Sequence, residues 1–248
     1  MISYKSPREI EAMRKAGKIV ADLLELISEK IRPGITTKKL DLLAAEYYRK
    51  TNSRSAFLGY QGFPANICVS IDDEVVHGIP SDRKLVEGQI VSVDVGAVFD
   101  GFYGDSARSF NVGQAEEANQ KLLDATWKAL FKGIEQCRVG KKLGDLSWAI
   151  QNYAESQGFS VVRDLVGHGI GRKMHEEPQV PNFGEPDTGI EFTEGLVLAI
   201  EPMINSGKYE VKILPDGWTI VTADGSNSAH FEHTVAITSN GPDILTKR

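Results

Sequence analysis

The stretch Ile90-Val-Ser-Val-Asp94-Val-Gly96-Ala-Val-Phe-Asp100-Gly101-Phe-Tyr-Gly-Asp105-Ser-Ala-Arg-Ser-Phe110 decides the fold. Two apolar, β-rich runs flank Asp100-Gly101, a dipeptide that accepts the positive φ angles of a two-residue turn, so the stretch predicts an antiparallel hairpin. Counting outward from that turn sets Gly96 opposite Asp105. Asp94 lies two residues away on the same face, which makes Asp94 and Asp105 diagonal neighbours, roughly 7 to 8 Å apart at the backbone and able to converge. Two carboxylates aimed at one spot inside apolar strands repel and lose hydration, a cost that a cation between them removes. The hairpin therefore predicts a metal.

Outward from the hairpin, helical periodicity covers Ile10 to about Arg32, after a capping box of Ser6, Pro7 and Glu9 and before the stop at Pro33-Gly34. A second helix is expected over Thr37 to Thr51 and a strand over Ile67 to Ile71. Helices then return at Glu116 to Cys137 and Leu143 to Gln157, followed by strands near Val161 to Val166, Leu196 to Ile204, Trp218 to Thr222 and His230 to Thr238. Helix, helix, strands, twice over, suggests duplication. Arg32, Gly34, Leu40 and Tyr47 recur as Arg138, Gly140, Leu146 and Tyr153, each shifted by 106 positions. Glu87-Gly88 with Val93-Asp94 recurs as Glu194-Gly195 with Ile200-Glu201, a shift of 107. The expected architecture is α/β (α+β): two duplicated helix-helix-strand halves, about 6–113 and 115–241, around a central antiparallel sheet, within one catalytic domain spanning 1–248.

In each half a second carboxylate precedes a closing strand that ends in glycine, Gly113 or Gly241, so Glu201 and Glu232 are expected to form a second converging pair. Histidine supplies the remaining ligand chemistry. Val166-Gly-His168-Gly-Ile-Gly-Arg-Lys-Met-His175-Glu-Glu-Pro178 places an imidazole among glycines, which forbid a stable helix and allow close backbone approach. His77 ends another apolar run and by itself is more often structural than functional. His230 and His233 flank Glu232, and strand alternation turns both away from it, which leaves them as supporting or structural residues. Four carboxylates and one imidazole, without thiolates, favour Mn, Fe, Co or Zn over a structural cysteine site. Five ligands are too many for one open catalytic ion. Shared carboxylates holding two ions about 3.5 to 4 Å apart would give a bridging hydroxide nucleophile.

Composition narrows the class further. With 28 Lys and Arg against 34 Asp and Glu, a formal charge of −6 and a pI near 5.5, no basic footprint for sequence-specific nucleic-acid binding is expected. Hydrophobic residues at 41% and charged residues at 25% are globular values. Cys68 and Cys137 are expected as free thiols in a reducing cytoplasm. No run approaches the roughly 20 apolar residues of a membrane span, and the first residues lack a signal peptide's apolar core. The first 54 residues hold 12 basic and 7 acidic side chains, net +5, mostly a solvated helical face with docking near the ribosome as a secondary expectation.

The ordered set Asp94, Asp105, His168, Glu201 and Glu232 closely resembles the metal ligands of methionine aminopeptidases. The likeness extends over Leu58 to Phe63, Ile67 to Ser70, Asp73 to Pro80, Gly104 to Ser106, His175 to Pro178, Leu198 to Met203 and Phe231 to Thr234, and so over essentially the whole chain. It implies the pseudo-twofold pita-bread fold and two divalent ions. Asp94 would hold one ion, His168 and Glu201 the other, with Asp105 and Glu232 bridging. Glu201 would shuttle the proton, His175 would stabilise the developing oxyanion, and His77 would contact the substrate beyond the scissile bond. Tyr60, Phe63, Cys68, His77 and Trp218 match a methionine side-chain pocket. The short His168 to Glu201 interval and the lack of a cysteine-rich extension before Ser6 resemble the bacterial short form of the type I class. Phe57 and Met174 depart from the family's usual residues beside that pocket.

The implied activity is removal of the N-terminal methionine from nascent proteins with a small second residue, by a monomer. Two alternatives stand beside it: a proline-directed peptidase of the same fold, whose relatives normally carry an N-terminal domain, and a non-catalytic binding protein, which would require lost ligands.

Overall fold

In the computed structural model, which describes residues 1–248, Asp100 and Gly101 take φ of 50° and 77° and turn the chain between strands Ile90–Phe99 and Phe102–Asn111. Gly96 pairs with Asp105, the register obtained by counting out from the turn. Strand Cys68–Ile71 pairs with the other edge of Ile90–Phe99 and places Cys68 opposite Asp94.

Four helices carry the outer faces: α1 Pro7–Ser28, α2 Thr37–Lys50, α3 Glu117–Ile134 and α4 Leu143–Ser156. The Ser6–Glu9 capping box starts α1 as expected. α1 stops at Ser28, before the predicted Arg32, and the next residues turn. Each helix pair covers its own core. Leu23, Ile27, Leu40 and Ala44 pack on Val91, Val93 and Val95, whereas Leu122, Leu130, Leu146 and Ile150 pack on Leu196, Leu198 and Val235.

Backbone hydrogen bonds repeat at the matched glycines, although the two halves differ in length before their closing strands. Gly34 N–H donates to Leu85 O at 2.8 Å and Gly140 N–H to Phe192 O at 3.0 Å; Gly88 N–H donates to Val112 O and Gly195 N–H to Ile237 O, both at 2.9 Å. Gly34, Gly88, Gly140 and Gly195 have φ between 85° and 89°, a region costly for residues with a Cβ. These matched glycines are why the two halves fold alike.

Every strand pairing is antiparallel, but the strands form four sheets rather than one. The second-half sheet runs Gly241–Ile244, His233–Thr238, Val197–Ile200, Gly167–Gly169, Glu176–Val180. It meets the hairpin along a seam built largely by hydroxyls. Thr234 Oγ1 donates to Asp105 O and accepts from Asp105 N–H, Ser106 Oγ donates to Glu232 O, and Ser109 Oγ bridges His230 O and N–H. Glu232 N–H completes it by donating to Ala107 O at 2.9 Å.

The predicted long strands are broken at the carboxylates. Leu196 to Ile204 becomes Val197–Ile200 and Met203–Asn205, with Glu201-Pro202 between them, because proline offers no N–H to a ladder. His230 to Thr238 becomes Ser228–His230 and His233–Thr238, with Glu232 in the gap. Gly241 opens the last strand instead of closing the one before it. No helix is long and apolar enough to cross a membrane.

Candidate active site

The seam brings Asp94, Asp105, His168, Glu201 and Glu232 to one cavity of about 140 Å³. Asp94 and Asp105 arrive from the hairpin, His168 from Gly167–Gly169, and Glu201 and Glu232 from the two strand breaks. Ligand atoms of Asp105, His168 and Glu232 all lie within 4.8 Å of one another. His168 Nε2 is 3.5 Å from Glu201 Oε1 and 3.8 Å from Asp105 Oδ2.

Electrostatics then decide what fits between them. His168 Nδ1 lies 2.9 Å from Gly169 O, and a carbonyl can only accept, so Nδ1 carries the proton and Nε2 presents a lone pair. Burial pushes the imidazole's pKa down to about 4, which keeps it neutral. A lone pair thus faces two carboxylates. Buried oxygens Asp94 Oδ1, Asp105 Oδ1 and Glu232 Oε1 have no hydrogen-bond partner. Burial lifts the Asp94 carboxyl to about 7 and pushes Asp105, Glu201 and Glu232 well above the carboxylate range, with neighbouring carboxylates adding to the last three. Acceptors aimed at one another without a donor are costly, and a divalent cation satisfies all of them at once. The donor set, oxygen-rich with one imidazole, suits such an ion.

Beside the carboxylates the cavity is apolar. Tyr60, Phe63, Cys68, His77, His175 and Trp218 line it, together with Phe57 and Met174. Phe63 and Trp218 meet edge-on with centroids 5.1 Å apart. The volume is close to that of a cavity of about 150 Å³ that admits one benzene ring, a scale that suits a single side chain. His77 holds φ of 60°, an unusual backbone for a residue with a side chain, and burial lowers its pKa to about 4. That strain, invisible in the sequence, separates His77 from an ordinary core histidine. His175 stacks edge-on against His168 at 4.3 Å, and its Nδ1 is 2.7 Å from Tyr60 Oη.

Two further residues belong to the surroundings. Gln61 lines the cavity from a turn in which Gly59, Gln61 and Gly62 all have positive φ; Gly59 and Gly62 were the sequence's only sign of it. His230 Nε2 lies 3.8 Å from Glu201 Oε2, buried and without a partner. This agrees with a supporting or structural role for His230; it reaches Glu201 because the strand ends at His230 and does not continue through Glu232. His233 does turn away, to Thr246 Oγ1 at 2.9 Å.

The chain matches the model of metallopeptidase family M24 over residues 11–239. It is 54% identical to the methionine aminopeptidase of Clostridium perfringens, over 99% of each chain, and 49% identical to methionine aminopeptidase 1 of Bacillus subtilis over the whole of both. The crystal structure of Thermotoga maritima methionine aminopeptidase, 49% identical, superposes with a TM-score of 0.98 and full coverage of both chains. Prolidase from Pyrococcus furiosus, 22% identical, shares the fold at a TM-score of 0.78, with this chain covering 65% of its length. With its carboxylate-rich centre and full-length likeness, the chain belongs to metallopeptidase family M24, on the methionine aminopeptidase branch.

Proposed function

We propose that this protein removes the N-terminal methionine from polypeptides whose second residue is small, and that residues 1–248 act as one catalytic unit. The convergence of five ligand side chains with orphaned oxygens on a cavity sized for one side chain carries the reading. Asp94, Asp105, His168, Glu201 and Glu232 would hold two divalent ions, from among Co, Mn, Fe and Zn. Such ions, when bound, polarise a carbonyl and make water nucleophilic near neutral pH.

The chain's own residues do the rest. Phe57, Phe63, Cys68, Met174 and Trp218 exclude water around the thioether, whose flexibility suits aromatic walls. Glu201, on the cavity wall, takes a proton from the attacking water and returns it to the leaving amine. The leaving amine belongs to the second residue, so a bulky side chain there would crowd His77 and His175. His175 donates to the carbonyl oxygen as it becomes anionic, with Tyr60 fixing its orientation. Nascent chain N-termini in the cytoplasm are the substrate class, met by a monomer, with docking of the basic first 54 residues near the ribosome as a secondary feature.

Peptide selectivity tests the reading. Purified protein supplied with Mn or Co should release methionine from Met-Gly-X at least 100-fold faster than it cleaves X-Pro peptides. The reverse order would assign it to the proline-directed peptidases, and no release from either would make it a binding protein.

A further inference from the structure

We infer that the N-terminal strap before α1 is part of the active site, with Lys5 a positioning residue that acts through Glu176 on His175. The inference rests on the catalytic role proposed for His175. Lys5 Nζ donates to Glu176 Oε2 at 2.7 Å and to Ser3 O at 3.0 Å. Among the Lys and Arg ion pairs in the molecule this is the least exposed, with Lys5 buried at 4% and Glu176 largely covered at 11% side-chain exposure. Burying an ion pair costs desolvation that its attraction scarcely repays, so its value lies more in fixing geometry than in stability.

What it fixes is the turn that carries His175. Glu176 Oε1 accepts from Arg172 N–H at 2.9 Å and Lys173 N–H at 3.1 Å, which closes the turn on itself. Lys5 holds the other oxygen of the same carboxylate. The strap is seated on the second half, where Lys5 N–H donates to Gly195 O at 2.7 Å. Two glycines make room for it: a Cβ on Gly195 would lie 2.6 Å from Lys5 O, and one on Gly171 would lie 2.4 Å from Lys5 Cε. From the far side Tyr60 Oη meets His175 Nδ1. His175 is therefore held between Tyr60 in front and the Lys5–Glu176 pair behind. A displacement of about 1 Å in a catalytic group can cost up to about 100-fold in rate.

The test uses full-length, metal-supplied Lys5→Met, Glu176→Gln and His175→Ala, with each of the first two also combined with His175→Ala. We expect Lys5→Met and Glu176→Gln to lower kcat about 10- to 100-fold with KM changed less than threefold, and to add nothing once His175 is alanine. Amides of Arg172 and Lys173 should exchange hydrogen faster in both, with the hairpin amides unchanged. If Lys5→Met does not fold, the near-isosteric Glu176→Gln decides. Parental kcat in both strap variants, with His175→Ala impaired, overturns the strap inference alone. So does an equal loss with and without His175. Parental kcat in His175→Ala overturns the role given to His175 and the inference built on it.

Discussion

One hydrogen bond at His168, from Nδ1–H to the carbonyl of its own neighbour Gly169, determines what its imidazole can do. It fixes the tautomer that leaves Nε2 free for a metal, as supporting hydrogen bonds on ligating histidines generally do. Asp105 stands where both neighbouring carboxylates and this lone pair meet, so its charge matters more than its volume. Asp105→Asn should keep the fold yet weaken metal binding by more than the roughly 10- to 100-fold that follows loss of a merely supporting residue; titration calorimetry with Mn measures it. At this scale the sequence was most legible where geometry was shortest. Asp94 and Asp105 followed from counting out of one turn; Gln61 did not, because a positive φ at a glutamine leaves no sequence pattern, and the strand break hid which carboxylate His230 supports.

Between elements, close approach sets the packing of α1. A Cβ on Gly17 would lie 2.3 Å from Leu245 O, and one on Gly104 would lie 2.7 Å from Gly17 N, so helix, hairpin and C-terminal segment touch backbone to backbone. Alanine in place of glycine inside a helix ordinarily stabilises by about 1 kcal/mol. Here the sign should reverse: Gly17→Ala should cost about 1 to 3 kcal/mol through overpacking, read from urea unfolding. A gain in stability would mean α1 is free to lift away. The helices and the hairpin register were readable because each has local punctuation, a cap or a turn dipeptide. The break at Glu232 was not, since it arises where one half bonds to the other across the seam, whereas the break at Glu201 had a local signal in Pro202 that the long apolar run obscured.

Across the whole molecule, duplication places four carboxylates in one buried centre, and this makes stability depend on what occupies it. In the metal-free protein burial raises these carboxyl pKa values above their unfolded ones, Asp94 to about 7. The folded state then holds more protons than the unfolded one, so stability is greatest below the unfolded value near pH 4 and falls as pH rises through 7. The melting temperature of stripped protein should therefore drop between pH 5 and 8, while saturating Mn removes the drop and drives proton release on binding. Scanning calorimetry of both forms checks it; parallel curves would contradict it. The formal charge of −6 likewise includes four internal acids, and two bound ions would formally offset them. The repeat itself was legible from paired glycines and acids, but the division into four sheets was not, because sheet partners across halves carry no shared period.

The most direct measurement is the initial rate of methionine release from a Met-Gly-X peptide as metal-stripped protein is titrated with Mn, Co or Fe. Release should be negligible without metal, rise to saturation with at least one ion, and stay near background in Asp105→Asn. Undiminished release by the stripped protein, or none with any ion, would contradict the account.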